Sequence, residues 1–598
     1  MAKTSLPANS VLLLDALTER TGQLYTSPRK ILQCRDLDDV QAFLQDVEAH
    51  RRQGAHLAGF LAYELGFAFE DKLKARWKST GDLLGWFGVY DGFETLSLDQ
   101  VRARLGDEGE TLSPRLAEPR FDMGRDAYDA AFARCQAHLA CGDIYQVNFT
   151  LRARFLHEGT PERQFLELLK RQPVAHAAFV KLQDRSIVSL SPELFLKRRG
   201  NRLESRPMKG TAPRGNDHRE DLRIARELAA DPKQRSENIM ILDLMRNDLS
   251  RISETGSVKV TSLCEVERYK SLHQMTSTVE GALLPDMAFP QIIERLFPCG
   301  SITGAPKLSA MTIADTLETS PRGVYTGSIG AIAPNGDFKF NVAIRTLVLK
   351  TDGTGEVGTG SGVVYDSGAA PEYDECKLKL KFMRADSVPE FALLETMAYW
   401  PDDGILLKQR HLRRLEAAAS YFGMRYSPAE IERALHDKIR DHDGPLRLRL
   451  TLDSDGYIDV TATQLTETPA DALWKLALAP KVISGELPFR LHKTTHRAFY
   501  DDVRVDLSKQ TGCQEVLFSN EEGFLTEGSF TSLFIQQAGR LLTPALRHGL
   551  LPGTLRAALL ESGRAIEADL RPDDLKMAEK IFVGNSVRGL IRAEMVGL

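Results

Sequence analysis

Between Ala385 and Glu390 the chain changes character, and that reset limits what it can fold into. A basic helical stretch ends over Ala385-Asp386-Ser387-Val388, Pro389 prevents its continuation, and a strand-like pattern begins at Glu390. The 598 residues therefore read as a large N-terminal part and a smaller C-terminal one. Within the larger part, residues 1–120 alternate short apolar strands with polar loops and end in the charged segment Gly106-Asp107-Glu108-Gly109-Glu110. Residues 121–385 carry most of the polar motifs, and residues 390–598 form the third span. No internal repeat and no low-complexity tract breaks this organisation.

Periodicity places the middle motifs. Tyr128, Phe132, Cys135 and Leu139 share one stripe, which predicts a helix over 126–141. A second helix is predicted over 233–247. A third has Pro306 in its first turn and runs to about Glu318. A fourth covers 371–384 and opens with Pro371. Two β-rich runs, 322–333 and 338–349, flank Asn335-Gly336, a strong hairpin-turn signal. Further on, 446–464, 474–482, 515–518 and 532–535 read as strands.

The bulk numbers exclude several classes. Hydrophobic residues make up 42% and charged residues 27%, and 77 basic against 82 acidic side chains leave a net charge of −5. That balance gives no reason to expect nucleic acid or a membrane surface as partner. No apolar run approaches the ~20 residues of a membrane helix. The short run Val11-Leu12-Leu13-Leu14, after Lys3, is cut by Asp15 and is too short for a signal peptide. Seven scattered cysteines without a Cys-x-x-Cys pair read as reduced thiols of a cytoplasmic protein without zinc.

Several side chains carry chemistry by type and spacing. Glu372 and Glu375 are three apart on one predicted helix, with Lys379 four further on. That spacing suits a solvated, ion-paired face as well as a functional one. Glu237 precedes the apolar run Ile239-Met240-Ile241-Leu242 on another helix. Such carboxylates suit Mg²⁺, which prefers oxygen ligands and bridges to anionic substrates. The run Gly358-Thr359-Gly360-Ser361-Gly362 would let backbone amides approach an anion, although no helix clearly follows it. No Gly-x-x-x-x-Gly-Lys-Ser/Thr loop occurs.

Pro298-Cys299-Gly300-Ser301-Ile302-Thr303-Gly304-Ala305-Pro306-Lys307 resembles the signature of the chorismate-utilising enzymes. Four more segments agree in order and spacing: Ile144–Asn148, Ser191–Leu194, Asp243–Leu249 and Asn341–Thr346. Isochorismate-forming members place a lysine where this chain has Gln146, so water is not the expected nucleophile. Anthranilate synthases have a small residue where Arg206-Pro207-Met208-Lys209-Gly210-Thr211 has Lys209. That lysine resembles aminodeoxychorismate synthase component I. The resemblance implies that the Lys209 amine attacks C2 of chorismate, that Glu193 protonates the departing C4 hydroxyl, and that ammonia then enters at C4. It also implies Mg²⁺ at Glu237 and Glu375 with Glu372 nearby. Substrate contacts are implied for Ser301, Thr303, Gly304, Tyr325, Arg345, Gly360, Gly362 and Lys379. Lys209 must be neutral to act, and burial beside cations such as Arg206 or Arg214 would depress its pKa. The family's histidine position falls on Gln274, with His273 one residue earlier, and the sequence leaves open which of them faces the site. None of the seven cysteines has the Gly-x-Cys-x-Gly flanks of a class I glutaminase, so a separate glutaminase subunit is expected to deliver ammonia.

In the C-terminal span, Leu491–Arg497 is dense in cations, Thr526-Glu527-Gly528-Ser529 precedes a strand, and Pro552-Gly553-Thr554-Leu555-Arg556 looks like a helix start that could bind phosphate. With Phe391-x-x-x-Glu395-Thr396 and His411-Leu412-Arg413-Arg414-Leu415, this order resembles the fold-type IV pyridoxal-phosphate enzymes, and 4-amino-4-deoxychorismate lyase among them. The resemblance implies that Lys493 carries pyridoxal 5'-phosphate and later takes the C4 proton. Glu527 would pair with the ring nitrogen. Arg414, Gly553, Thr554 and Ser586 would hold the phosphate.

The expected fold is α+β: a layered chorismate-binding sandwich followed by a two-subdomain fold-type IV domain of a kind that commonly forms homodimers. The expected function is p-aminobenzoate synthesis for the folate pathway. An anthranilate synthase-like unit fused to a class IV aminotransferase competes with it, and Lys209 argues against that. A non-catalytic scaffold would have decayed sites, whereas the key lysines and glutamates are present.

Overall fold

A computed structural model describes residues 5–106, 114–269, 272–383, 391–483 and 486–596. The charged run 107–110, the reset at 385–390 and Lys3 lie outside the described residues. The chain divides into two compact units, Met1–Pro213 with Ala225–Val388, and Pro389–Leu598 with Arg214–Ile224.

The first unit is built on two large sheets. One places Gly304–Ala305, Gln146–Glu158, Thr354–Val363, Thr346–Lys350, Arg185–Ser191, His176–Lys181, Ser10–Asp15, Thr21–Tyr25 and Glu94–Ser97 side by side. The other runs from Met208–Pro213 through Leu272–Ala282, Arg202–Arg206, Leu194–Arg199, Phe338–Asn341, Ser328–Ile332, His56–Leu61 and Gly85–Tyr90 to Lys30–Cys34. Strands from the first hundred residues pair directly with later ones, as Ser10–Asp15 does with His176–Lys181 and His56–Leu61 with Ser328–Ile332. The N-terminal stretch is also more helical than its alternating texture predicts. Val40, Phe43, Leu44 and Val47 recur at helical spacing and bury the inner face of Val40–Arg52.

The predicted helices form as Arg125–Cys141, Pro232–Ser250, Lys307–Leu317 and Ala369–Lys379. Pro306 is the extended N-cap of its helix rather than a first-turn residue. The last helix begins before Pro371, because Gly368 supplies an extended cap and leaves the proline in the first turn. The Asn335-Gly336 turn closes a hairpin of Ser328–Ile332 with Phe338–Asn341. Its second predicted run does not continue to 349. Arg345 takes a left-handed φ of 50°, and the chain passes to the other sheet as Thr346–Lys350.

The second unit has a four-stranded antiparallel sheet, Gly404–Ile405, Leu393–Trp400, Leu446–Leu452 and Ile458–Gln464, and a mixed eight-stranded sheet. The predicted strand 446–464 is thus two strands, and Asp453 accepts the amides of Asp455 and Tyr457 in the turn between them. Among the described residues no helix is long and apolar enough to cross a membrane, and all seven cysteines are free.

Candidate active sites

In the first unit, Lys209 lies on the strand Met208–Pro213, whose backbone is pinned by two amides. Asn238 Nδ2 donates to the Lys209 carbonyl at 3.0 Å, and Gln274 Nε2 donates to the Gly210 carbonyl at 2.8 Å. Gln274 is therefore turned toward the Lys209 strand. His273, its neighbour along a strand, is buried on the opposite face. Gly210 has φ +95°, so the register shift in the strand next to Lys209 requires glycine.

The Lys209 ammonium enters the space left by Gly362. A Cβ at Gly362 would collide with Lys209 Nζ and would meet Asn148 Oδ1 at 3.0 Å and Gln146 Nε2 at 3.1 Å. Burial depresses the Lys209 pKa and Lys379 adds to the effect, while Glu237, Glu375 and Glu193 oppose it. The expectation that Arg206 or Arg214 supplies the neighbouring cation is not met. Arg206 is paired with Glu267, and Arg214 is held by Asp221 in the second unit.

Glu193 is buried and accepts a 2.6 Å hydrogen bond from Ser301 Oγ. Burial pushes its carboxyl up to about 7, although Ser301 and Lys209 pull the other way. A carboxyl raised toward neutrality thus lies within electrostatic range of a depressed amine, a pairing suited to acid–nucleophile chemistry. Thr303 and Gly304 tie the signature loop to the strand Gln146–Glu158 and to itself. The Thr303 carbonyl accepts the Asn148 amide at 3.0 Å, its hydroxyl donates to the Cys299 carbonyl at 2.8 Å, and Gly304 pairs with Val147 at φ +135°.

Arg345 is half-buried, its pKa is lowered to about 10 by desolvation, and its buried Nη1 has no hydrogen-bond partner among the described residues. A buried, unanswered guanidinium nitrogen is costly and points to a missing anion. Tyr325 is buried against Gly358, where a Cβ would overlap its ring.

The three glutamates behave differently. Glu375 pairs with Lys379 at 2.7 Å, Lys379 also donates to the Gly360 carbonyl at 2.8 Å, and Glu372 accepts from Ser367 Oγ at 2.7 Å. Glu237 and Glu375 both raise the Lys209 pKa by their charge, so both lie within electrostatic range of it. Among the described residues no three His, Cys, Asp or Glu side chains converge as a metal-holding group. A two-carboxylate set still fits Mg²⁺, which keeps several waters and shares substrate oxygens.

In the second unit, the Lys493 amine is pushed down to about 7, first by burial and then by Arg497 and Arg414, against Glu395 and Glu527. Glu527 is buried, accepts from Tyr500 Oη at 2.5 Å and from the Leu551 amide at 3.1 Å, and is raised by burial to about 7. Arg414 forks onto Glu395 at 2.8 and 2.7 Å, and its remaining edge donates to the Pro552 carbonyl at 3.1 Å. Glu395 also lies 2.6 Å from His411 Nδ1. Burial opposes its ionisation, but Arg414 and His411 prevail and hold it at about 2. Gly553 caps the helix Thr554–Glu561, and a Cβ there would clash with Ser532 Oγ. Ser586 and Leu555 line a cavity of about 610 Å³.

A depressed lysine, a buried glutamic acid, a helix N-terminus and a guanidinium are groups that together suit pyridoxal phosphate. Tyr500 and the Glu395–His411 pair escaped sequence reading as site members. Tyr500 lies seven residues beyond Lys493 and contacts Glu527 only through the tertiary fold.

Residues 10–385 match the chorismate binding enzyme family, and residues 392–595 match the class IV amino-transferase family. Aminodeoxychorismate synthase component 1 of Klebsiella aerogenes is 36% identical over 334 residues, which are 53% of this chain and 74% of that protein. The Escherichia coli (strain K12) protein of the same name is 39% identical over 286 residues, 47% of this chain and 63% of its own length. The crystal structure of anthranilate synthase component I from Streptococcus pneumoniae superposes with a TM-score of 0.53 at 26% identity. It covers 64% of this chain and 94% of its own.

Proposed function

Because the chain belongs to the chorismate-binding enzymes and carries a class IV aminotransferase-type unit behind them, we propose that it makes p-aminobenzoate from chorismate and ammonia in two steps. The observation that carries this reading is Lys209, a depressed amine in the space opened by Gly362, with Glu193 raised to about 7 in the same site.

In the first step the neutral Lys209 amine forms a bond to C2 of chorismate. Both ring double bonds shift, C1=C2 to C1=C6 and C5=C6 to C4=C5, and the C4 hydroxyl leaves as water with the proton of Glu193. Ammonia then bonds to C4, the C2–nitrogen bond breaks, and Lys209 is released to give 4-amino-4-deoxychorismate. Arg345, with its unanswered Nη1, takes a substrate carboxylate beside Tyr325, and Ser301 holds Glu193. Glu237 and Glu375 would hold Mg²⁺, which supplies positive charge for the ring carboxylate. Gln146 offers an amide rather than an amine, so it cannot activate water. Ammonia comes from a separate glutaminase, in keeping with the component 1 name of the relatives.

In the second step the intermediate loses pyruvate. Pyridoxal phosphate at Lys493 would supply the electron sink. Glu527 would hold a proton at the ring nitrogen, with Tyr500 fixing its carboxyl, and Arg414, Gly553, Thr554 and Ser586 would hold the phosphate. The Lys493 amine takes the C4 proton, the C3–oxygen bond to the enolpyruvyl group breaks, and the ring becomes aromatic.

A single incubation with chorismate, ammonium, Mg²⁺ and pyridoxal phosphate, resolved by mass and retention, tests the reading. p-Aminobenzoate and pyruvate in equal amounts are expected, whereas anthranilate as the main product would retire it.

A further inference from the structure

The segment Arg214–Ile224 belongs by its contacts to the second unit, although more than 160 residues of first-unit sequence separate it from Pro389. What it builds there is specific. Arg214 forks onto Asp221, Nε to Oδ1 at 2.6 Å and Nη2 to Oδ2 at 2.9 Å, and Asp221 is completely buried. The Gly215 amide donates to the same carboxylate at 3.0 Å, and a Cβ at Gly215 would strike the Asp221 backbone. A buried charge pair with this many bonds fixes geometry more than it adds stability.

The pair grips one residue, Tyr421. Arg214 Nη2 donates to the Tyr421 carbonyl at 2.7 Å, the guanidinium lies 4.7 Å over the Tyr421 ring, and Tyr421 Oη donates to the Gly215 carbonyl at 2.8 Å. Ring, carbonyl and hydroxyl of one tyrosine are thus all engaged. The Tyr421 ring in turn stacks on His492 at 4.4 Å and 23°. His492 is buried, with Nδ1 2.9 Å from the Pro488 carbonyl, and it precedes Lys493 directly. On its other side Lys493 is tied to the start of the four-stranded sheet. The Leu394 amide donates to the Lys493 carbonyl at 2.9 Å, and the Thr495 amide donates to the Ala392 carbonyl at 2.8 Å.

We propose that Arg214 and Asp221 are positioning residues of the lyase site, clamping Tyr421 and through His492 fixing the backbone from which Lys493 projects. The proposal rests on the reading of Lys493 given above. On this view the lyase unit is completed by an eleven-residue loan from the N-terminal part of the sequence. Lys493 is held from two sides, and loss of the clamp lets the segment carrying it relax and admit water.

The test uses the full-length chain freed of cofactor. The pH at which Lys493 becomes half reactive is followed by reductive methylation and mass spectrometry of its peptide in wild type, Arg214→Ala, Arg214→Lys and Tyr421→Phe. The groups acting on Lys493 are Arg497, Arg414, Glu395 and Glu527, and none of them is altered. Arg214→Ala is expected to raise the midpoint by about one pH unit, a tenfold change in proton affinity, as burial weakens. Arg214→Lys, which keeps the charge but loses the fork and the stacking, should move it part of the way, and Tyr421→Phe least. In the reloaded protein, pyruvate release from supplied 4-amino-4-deoxychorismate should fall about tenfold while ammonia-dependent chorismate consumption stays within about twofold. Midpoints equal to wild type in all three variants would overturn the clamp. If Arg214→Ala does not accumulate as folded protein, Arg214→Lys is read by the same criterion. A wild-type midpoint near 7 without any pyruvate release would instead strike the lyase reading, and the variant midpoints would still decide the clamp.

Discussion

Each unit depresses the amine of its candidate catalytic lysine, and the two do it in opposite electrostatic surroundings. Around Lys209, burial works with the cation of Lys379 and against the carboxylates of Glu237, Glu375 and Glu193. Around Lys493, burial works with two guanidiniums, Arg497 and Arg414, against Glu395 and Glu527. The contrast follows from what else each site has to hold. A site that accommodates a divalent cation must carry carboxylates, which stabilise an ammonium. A site that seats a phosphate must carry guanidiniums, which destabilise one. Burial is the common factor, and the neighbouring charges are fixed by the ligand rather than by the lysine.

The hardest test of this comparison removes each lysine in turn. Lys209→Ala should reduce ammonia-dependent consumption of chorismate by about 10⁴-fold while leaving pyruvate release from supplied intermediate intact, and Lys493→Ala should spare chorismate consumption, abolish pyruvate release and accumulate the aminated intermediate. Chromatography of both products decides, and parallel losses in both assays would erase the division of labour. Glu193→Gln should lower amination by about 10²–10³-fold. Since the protonated acid is the useful form and its pKa is raised to about 7, the wild-type rate should fall as pH rises through about 7, and that limb should vanish in the variant.

Smaller effects sharpen the electrostatic contrast. In cofactor-free protein, covalent capture of pyridoxal phosphate needs the neutral Lys493 amine, lowered to about 7. The capture rate followed by absorbance should therefore rise as pH rises through about 7. Arg497→Leu removes a cation and should move that midpoint up by about one unit. Glu237→Gln removes an anion and should move the Lys209 midpoint down by less, since Glu237 is only half-buried. Shifts of the same sign at both sites would mean that local charge does not distinguish them.

Much of this was legible in the chain because it was written in local patterns. The stripe Tyr128, Phe132, Cys135 and Leu139 placed a helix to within a residue, and Asn335-Gly336 placed a hairpin turn, since both depend on neighbours in sequence. The Pro298–Lys307 signature and Lys209 located the first site. What stayed hidden depends on contacts between distant residues. The strand that was expected to run on to 349 stops because Arg345 adopts a left-handed conformation, which no propensity announces. Arg206 and Arg214 looked like natural neighbours of Lys209 by sequence, yet each has its own carboxylate, Glu267 and Asp221. Lys379, more than 160 residues away in sequence, is the cation that acts. Tyr500 could not be matched to Glu527 without knowing how the helix Ala498–Thr511 lies against the sheet.

The vacancy at position 362 fixes the aim of the amine by a missing methyl group. The atom a Cβ would displace is the tip of a flexible side chain, so Gly362→Ala should still fold, and its damage would fall on the direction of attack rather than on stability. Gln146 and Asn148 share that same small volume. They are the places where natural drift or design could redirect which nucleophile reaches the ring, provided the glycine between them and the lysine stays bare.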